Sequence, residues 1–273
     1  MSVHESEDRQ RADAALAARG LAPSREKARA LIEAGLALVN GAPISKPAQK
    51  VGPEDVLTVT GDTHPYVSRG GLKLKKAIDA FAVDVPGKVC LDVGASTGGF
   101  TDVLLRAGAA HVYAVDVGTG QLDPRLREDR RVTSMERVNA RALTRSMFPT
   151  PPTLAVMDVS FISVRLILPA LFELLGPDGR VLTLVKPQFE AGRASVGKGG
   201  IVSSPGAHRR VLREITAFPE ALGWRVRALE LSPITGGDGN IEFLADLLPA
   251  TQCERGVSEE EIDALVRRAH EKP

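Results

Sequence analysis

Short apolar runs alternate with helical apolar patterns from residue 89 to the C-terminus. Each run has the length of a buried strand, and most runs are followed by apolar residues at the spacing of an amphipathic helix. This alternation predicts an α/β domain with a doubly wound, mostly parallel sheet. The predicted strands are 89–93, 112–117, 131–134, 154–158, 180–185, 225–231 and 241–247. The predicted helices are 99–107, 120–127, 162–175, 206–222 and 258–270. Because the last two strands are closely spaced, they can form an antiparallel hairpin.

The first 60 residues carry a smaller pattern of their own. Two helical patterns precede two short β patterns, at 9–19, 24–35, 36–39 and 56–59. Between the two β patterns, Asn40-Gly41 is a strong turn signal. We therefore predict a small α+β domain at 1–60, a linker at 61–67 and the α/β domain at 68–273.

Composition excludes several classes of protein. The chain is 43% hydrophobic, but no apolar run approaches the ~20 residues of a transmembrane helix. Its first ten residues are polar and lack the apolar core of a signal peptide. Cys90 and Cys253 are its only cysteines, so we expect neither a disulfide framework nor a metal site. These features predict a cytoplasmic protein without membrane contact.

The net charge of +1 is unevenly distributed along the chain. Residues 9–76 contain 12 Lys and Arg against 6 Asp and Glu, and residues 180–213 contain 7 against 1. Residues 214–273 contain 12 acids against 6 bases. Two basic segments on a nearly neutral chain fit a polyanionic partner, although charge runs are also common on ordinary solvated surfaces.

Residues 89–101, VCLDVGASTGGFT, predict a strand, a glycine-rich turn and the start of a helix. Neither the dinucleotide pattern G-x-G-x-x-G nor the P-loop pattern is present. Asp92, at the end of the strand, would repel a pyrophosphate but suits the ammonium of an amino acid, and Asp116 could bind ribose hydroxyls. These features favour a binding site for S-adenosylmethionine (SAM). The alternative is a plain strand–turn–helix that binds no ligand, in which Asp92 caps the helix. The predicted SAM-binding residues are Asp92, Gly94, Ala95, Ser96, Thr97, Gly98, Gly99, Phe100, Asp116 and Asp158.

Four charged residues are predicted to converge near the methyl group of SAM. Asp158, Lys186 and Glu242 lie at the ends of predicted strands, and Lys73 lies on a predicted helix just before the glycine-rich turn. An alcohol acceptor must lose its proton during methyl transfer, and a lysine in its neutral form could take that proton from a ribose 2′-hydroxyl. Any one of these residues alone could be an ordinary surface or rim charge.

Other kinds of methyl transfer require sequence motifs that this chain lacks. Amino methylation of bases usually needs an Asn/Asp-Pro-Pro-aromatic run, but Pro151-Pro152 follows Thr150. Cytosine C5 methylation needs a nucleophilic cysteine beside the cofactor. Cys90 lies inside a predicted strand and Cys253 near the C-terminus, so neither fits that role.

Residues 9–60 resemble the S-four-type RNA-binding domain. The resemblance rests on a basic helix followed by glycine, a strand and Val-Asn-Gly. It implies that the domain binds structured RNA through Arg25, Lys27, Arg29 and Lys46. Arg69, in SRGGLKL, completes the predicted RNA contacts.

The whole chain resembles the TlyA (hemolysin A) family of ribosomal RNA methyltransferases. The motifs that carry this resemblance are LDVGASTGGFTDVLL, DVSFIS, LVKPQFE and GNIEF, joined to the S-four-type domain. The second domain is similar to FtsJ-type 2′-O-methyltransferases, which implies a seven-stranded Rossmann-like fold and a catalytic tetrad of Lys73, Asp158, Lys186 and Glu242.

By the same resemblance, Lys186 assists deprotonation, a cytidine 2′-hydroxyl of ribosomal RNA is the acceptor, and ribosomal subunits are the partners. Two alternatives stay open. One is an RNA-binding protein with a catalytically silent methyltransferase domain. The other is a membrane-active hemolysin, as the older family name suggests.

Overall fold

The computed structural model describes residues 9–60, 65–236 and 238–271. The chain forms two compact units that divide between Pro65 and Tyr66. The predicted linker at 61–67 lies partly outside the described residues, so its exact bounds stay a prediction.

The N-terminal unit is a small α+β structure, as predicted. Its elements are β1 (Gln10–Arg11), α1 (Ala12–Ala18), α2 (Arg25–Glu33), β2 (Ala37–Val39), β3 (Ala42–Pro43), β4 (Lys50–Val51) and β5 (Leu57–Val59). The Ser24 hydroxyl caps α2 by accepting a hydrogen bond from the Lys27 backbone N–H at 3.2 Å. The first helix starts later than its apolar pattern suggests because β1 pairs with β4 instead.

The second unit alternates helices and strands along most of its length. Its elements are α3 (Gly70–Ala80), β6 (Val89–Val93), α4 (Gly99–Arg106), β7 (His111–Val115), α5 (Pro124–Arg127), β8 (Val132–Met135), β9 (Leu154–Met157), α6 (Leu168–Leu175), β10 (Arg180–Val185), α7 (Pro187–Glu190), α8 (Pro205–Ala217), β11 (Trp224–Leu231), β12 (Phe243–Pro249) and α9 (Glu259–His270). Among the described residues, none of these helices has the length and apolar character required to cross a membrane.

Seven strands of this unit form one sheet in the order β11-β12-β10-β9-β6-β7-β8. The strands from β10 to β8 are parallel to one another, whereas β12 runs antiparallel to both β10 and β11. This arrangement confirms the predicted seven-stranded, doubly wound sheet with a final antiparallel pair.

Both faces of the sheet are buried under helices. Side chains alternate between the faces along each strand, so each strand contributes to both cores. On β6, Leu91 and Val93 pack into a core with α6, α8 and α9. Cys90 packs on the opposite face, into a core with α3, α4 and α5. Two apolar layers therefore hold the sheet rigid and fix the carboxyl ends of its central strands.

Three predicted helices are shorter in the structure, and each contains a proline. The pattern at 120–127 becomes α5, which begins at Pro124. The pattern at 162–175 becomes a 3₁₀ turn followed by α6, which has Pro169 in its first turn. The pattern at 206–222 becomes α8 and a separate 3₁₀ turn that contains Pro219.

Candidate active site

Two adjoining cavities lie at the carboxyl ends of the central strands. The smaller has a volume of about 330 Å³ and the larger about 420 Å³. Four residues line both cavities, namely Gly94, Ser96, Asp158 and Ser160. They follow β6 and β9 directly, which is where ligands bind in doubly wound sheets.

The turn after β6 requires glycine at position 94. Gly94 has a φ of +81°, and a Cβ at this position would lie 2.5 Å from the backbone oxygen of Asp158. Because glycine has no Cβ, the ends of β6 and β9 can approach each other closely. The same feature leaves bare backbone where the two cavities meet.

Most residues predicted to bind SAM line these cavities. The walls include Gly94, Ala95, Ser96, Thr97, Gly99, Phe100, Asp116 and Asp158. Gly98 differs from the prediction, because it lies on neither wall. Its φ is +95°, and a Cβ there would collide with Leu126. Glycine at position 98 therefore serves the packing of the turn against α5.

Asp92 also lies on neither wall, and its contact with the methionine ammonium stays a prediction. Because side chains alternate along β6, Asp92 faces α4, where its Oδ2 accepts a hydrogen bond from Thr101 Oγ1 at 2.7 Å. The carboxyl is fully buried, and its Oδ1 has no hydrogen-bond partner among the described residues. Burial raises the pKa of Asp92 to about 7, and the charges of Asp158 and Asp116 add to the effect. Asp92 therefore contacts α4 directly through Thr101.

The larger cavity combines a fixed carboxylate with an apolar wall. The Asp116 carboxylate accepts hydrogen bonds from the backbone N–H groups of Ser96 at 2.8 Å and Gly118 at 2.7 Å. These bonds fix the carboxylate at the wall and leave lone pairs for ribose hydroxyls. The apolar part of the wall suits a flat ring and consists of Val93, Val115, Val117, Val138, Ala140 and Ile167.

Sequence reasoning missed several residues of the larger cavity. Gln121 and Asn139 line it with amide groups. They lie in the segments that follow β7 and β8, where no recognisable motif occurs. The general rule that ligands bind at the carboxyl ends of parallel strands was the available signal for these two segments.

The four charged residues of the predicted tetrad come together as two ion pairs. Lys73 Nζ lies 2.5 Å from Glu242 Oε2, and Lys186 Nζ lies 2.6 Å from Asp158 Oδ1. Lys73, Lys186 and Asp158 line the smaller cavity, and Glu242 is buried behind Lys73. The predicted convergence is therefore observed, with both ammonium groups at the cavity wall.

Sheet topology explains why residues so distant in sequence meet here. Val185, the last residue of β10, is the register partner of Phe243, the first residue of β12. Lys186 directly follows Val185, and Glu242 directly precedes Phe243. The antiparallel pairing of β10 and β12 therefore brings Lys186 and Glu242 to the same edge of the sheet. Asp158 follows β9, the parallel neighbour of β10 on its other side.

The segment that leads into α3 adds a further part of the wall. Ser68, Arg69 and Gly70 line the smaller cavity, with Arg69 exposed. The Val67 backbone N–H donates to Asp102 Oδ2 at 3.0 Å, which fastens the segment to α4. Sequence reasoning named Arg69 but did not place Ser68 and Gly70 at the site.

The predicted RNA contacts of the N-terminal unit lie on two elements. Arg25, Lys27 and Arg29 are on α2, and Lys46 lies in the loop before β4. Residues four apart share a helix face, so Arg25 and Arg29 lie together while Lys27 points to the other side. Arg25 pairs with Asp13 at 3.4 Å.

Arg11 is a basic residue of this face that sequence reasoning missed. Its Nη2 lies 2.8 Å from Asp13 Oδ2, so Asp13 holds two arginines at once. The hydrogen bond from Arg11 lowers the pKa of Asp13 to about 2. A single carboxylate thus fixes Arg11 and Arg25 beside each other, while Arg29 pairs with Glu33 at 2.7 Å.

Comparison with known proteins gives consistent matches over most of the chain. The profile of the FtsJ-like methyltransferase family matches residues 66–247, and that of the S4 domain matches residues 10–57. The chain is 46% identical to the 16S/23S rRNA (cytidine-2′-O)-methyltransferase TlyA of Mycobacterium tuberculosis, over 96% of this chain and 97% of that protein. It is 44% identical to hemolysin A of Brachyspira hyodysenteriae, over 84% of this chain and 95% of that protein. A solved structure of a provisionally named hemolysin from Streptococcus thermophilus is 46% identical, with a TM-score of 0.77 and 97% of each chain covered.

Proposed function

The chain belongs to the TlyA (hemolysin A) family of FtsJ-like methyltransferases, and on this basis we propose that it methylates the 2′-hydroxyl of a cytidine in ribosomal RNA, with SAM as methyl donor. The relative from Mycobacterium tuberculosis carries this activity in its name. The partners would be ribosomal subunits and the compartment the cytoplasm.

One observation carries the proposal, namely the two lysine–carboxylate pairs at the wall of the smaller cavity. Lys73 with Glu242 places a cationic group, and Lys186 with Asp158 places a proton acceptor, where an acceptor oxygen would gain negative charge. Cations held in position stabilise such developing charge without reorganisation. Nothing in this arrangement supplies a nucleophilic thiol, which fits an oxygen acceptor better than a base carbon.

SAM fits the two cavities by their chemistry. Asp116 would bind the ribose, the apolar wall of the larger cavity would hold the adenine, and the bare backbone at Gly94 would let the methionine part pass into the smaller cavity. When bound, SAM supplies an activated methyl group on a sulfonium. The chain must then orient the acceptor and remove its proton.

Lys186 is the residue that we assign to proton removal. In its neutral form it would accept the proton of the 2′-hydroxyl, and the ammonium that results would be stabilised by Asp158. Lys73 would hold the acceptor oxygen, and Glu242 would hold Lys73. The N-terminal unit would bind the RNA through Arg25, Lys27, Arg29 and Lys46, and Arg69 would contact it at the cavity. The S4 profile supports this RNA-binding role.

Methyl transfer to ribosomal subunits tests the proposal. Purified full-length protein is incubated with methyl-labelled SAM and subunits from a strain that lacks the modification, and mass spectrometry identifies the modified nucleotide. Wild type should label a cytidine ribose. Lys186→Met should lower the rate at least 100-fold while SAM affinity stays within about 3-fold, since general bases contribute about 10²–10⁴-fold.

A matched control and three contrary outcomes make the test decisive. Lys88→Met alters a half-buried lysine at the amino end of β6, away from both cavities, and should leave the rate unchanged. Label in a base would overturn the 2′-O assignment. SAM binding without any label would favour a catalytically silent domain. Lysis of membranes by the pure protein, together with no label, would favour the hemolysin alternative.

A further inference from the structure

Outside the two ion pairs, the side chain of Ser160 forms a hydrogen bond with a tetrad lysine. Its Oγ accepts a hydrogen bond from Lys186 Nζ at 3.0 Å. It also lies where the two cavities meet, since it lines both. Ser160 belongs to the DVSFIS motif of the sequence analysis, but the proposed function so far gives it no task.

The contacts of Lys186 leave a tetrahedral bonding direction of its Nζ atom unoccupied. An amine nitrogen is tetrahedral, and one of its four directions is taken by its own carbon. Among the described residues, the hydrogen bond to Ser160 takes another at 3.0 Å, and the Asp158 carboxylate lies 2.6 Å away as an ion-pair partner. A direction remains for the acceptor hydroxyl. With only Asp158, the amine could rotate about the Cε–Nζ bond, and this direction would not be fixed.

The backbone holds the serine hydroxyl in place. Phe161, the next residue, has a φ of +64°, so the loop after β9 makes a sharp left-handed turn at this point. Beyond the turn, Glu190 fastens the loop, because its carboxylate accepts hydrogen bonds from Ser163 Oγ at 2.6 Å and from the Val164 backbone N–H at 2.8 Å. The hydroxyl of Ser160 is thus presented by a loop that is fixed on both sides.

A hydroxyl suits this position for a chemical reason. It accepts a hydrogen bond from the neutral amine and from the ammonium alike, so it can hold Lys186 before and after proton transfer. A carboxylate in its place would bind the ammonium more strongly and oppose the neutral form. We propose that Ser160 is a positioning residue that aims the free direction of the Lys186 amine at the 2′-hydroxyl. This inference rests on the proposed function and assigns a role at the same site.

Two substitutions of the same residue test the inference in the full-length protein with SAM and ribosomal subunits. Ser160→Ala removes the hydroxyl and should lower kcat about 10- to 150-fold, the range expected for one hydrogen bond to a charged group. The KM values for SAM and RNA should stay within about 2-fold. Ser160→Thr keeps the hydroxyl and should restore kcat to within about 3-fold of wild type. Ser146→Ala, in an exposed 3₁₀ turn, is the control and should leave every value unchanged.

The outcomes separate this inference from the proposed function. Wild-type transfer to a ribose with an unchanged kcat in Ser160→Ala overturns the role of Ser160 alone. A rise in KM at constant kcat also overturns it, because the serine would then bind substrate instead of positioning the lysine. A wild-type protein that transfers no methyl group to ribose overturns both statements. A lowered kcat that threonine restores, with KM unchanged, is the result that we expect.

Discussion

The two lysine–carboxylate pairs of the site differ in burial, and this difference separates their roles. The two lysines are similarly buried, at 10% and 11% exposed, but the Glu242 side chain is only 2% exposed whereas that of Asp158 is 20% exposed. Removing a charge from water is costly, and a buried ion is tolerated only beside its partner. We therefore expect the Lys73–Glu242 pair to matter for stability as well as for chemistry.

A double-mutant comparison tests this expectation. Lys73→Met leaves Glu242 buried without its partner and should lower the free energy of unfolding by about 3 kcal/mol. Adding Glu242→Gln to that variant removes the stranded charge and should restore part of the loss. Urea unfolding of wild type, the single variants and the double variant measures this. If the double variant loses the sum of the two single losses, the pair is not coupled and the argument fails.

Asp92 shows what the sequence could not reveal at this scale. Its place after an apolar run and before a glycine-rich turn favoured a contact with the cofactor. The side on which a strand residue points depends on the register of the whole sheet, and a single residue shift reverses it. Asp92 faces α4 and Thr101. Asp116 and Asp158 follow their strands instead of lying within them, and both reach the cavity.

Among the elements, the glycine-rich turn between β6 and α4 determines the shape of the site. Its glycines serve different purposes, although they look alike in the sequence. Gly94 has a φ of +81° and meets the backbone of Asp158, whereas Gly98 meets side chains of α5 and the segment before it. Gly87 has a similar φ of +73° but open space around its Cα. This contrast allows backbone strain and close contact to be measured separately.

Alanine at these glycines should have clearly different effects. Gly87→Ala introduces only the cost of a left-handed backbone, about 1 kcal/mol. Gly94→Ala has the same cost and also forces a methyl group against the Asp158 carbonyl, so the ends of β6 and β9 must separate. We expect it to lose at least 2 kcal/mol more in urea unfolding and to weaken SAM binding at least 10-fold by calorimetry. Equal losses in the two variants would show that the close approach of the strands is not needed.

The elements predicted from periodicity were largely found, and the exceptions have local causes. Seven strands and the final antiparallel pair follow from apolar runs that only a buried sheet accommodates. Helix ends were less predictable, because Pro169 and Pro219 convert helical patterns into 3₁₀ turns. The convergence of the tetrad was predictable, since three members lie at strand ends. The hydrogen bond from Lys186 to Ser160 depends on side-chain positions that no pattern encodes.

Across the whole molecule, two buried groups in the second unit respond to pH in opposite directions. Burial raises the pKa of Asp92 from 3.8 to about 7 and lowers the pKa of His208 from 6.5 to about 4. The hydrogen bonds of His208 agree with a neutral ring. Its Nε2 donates to the Val202 carbonyl at 3.0 Å, so its Nδ1 must accept from His270 Nε2 at 2.9 Å.

The sign of each contribution follows from which state binds the proton. Between pH 3.8 and 7 the folded protein protonates Asp92 and the unfolded chain does not, so this group stabilises the fold at low pH and loses that effect as pH rises. Between pH 4 and 6.5 the unfolded chain protonates His208 and the folded protein does not. This group therefore loses its stabilising effect as pH falls. Each slope approaches ~1.4 kcal/mol per pH unit, and the two nearly cancel in the shared range.

Substituting either Asp92 or His208 should reveal the pH dependence of stability that the other residue contributes. In Asp92→Asn, the His208 contribution is no longer offset by that of Asp92. Relative to wild type, the free energy of unfolding should therefore increase with pH between 4.5 and 6.5, by about 1 kcal/mol per pH unit. His208→Gln should make stability decrease with pH over the same range by a similar amount. Urea unfolding at half-unit pH steps measures both slopes, and a constant offset of either variant does not affect them. Slopes of the same sign in the two variants would mean that at least one buried group keeps its ordinary protonation in the folded protein.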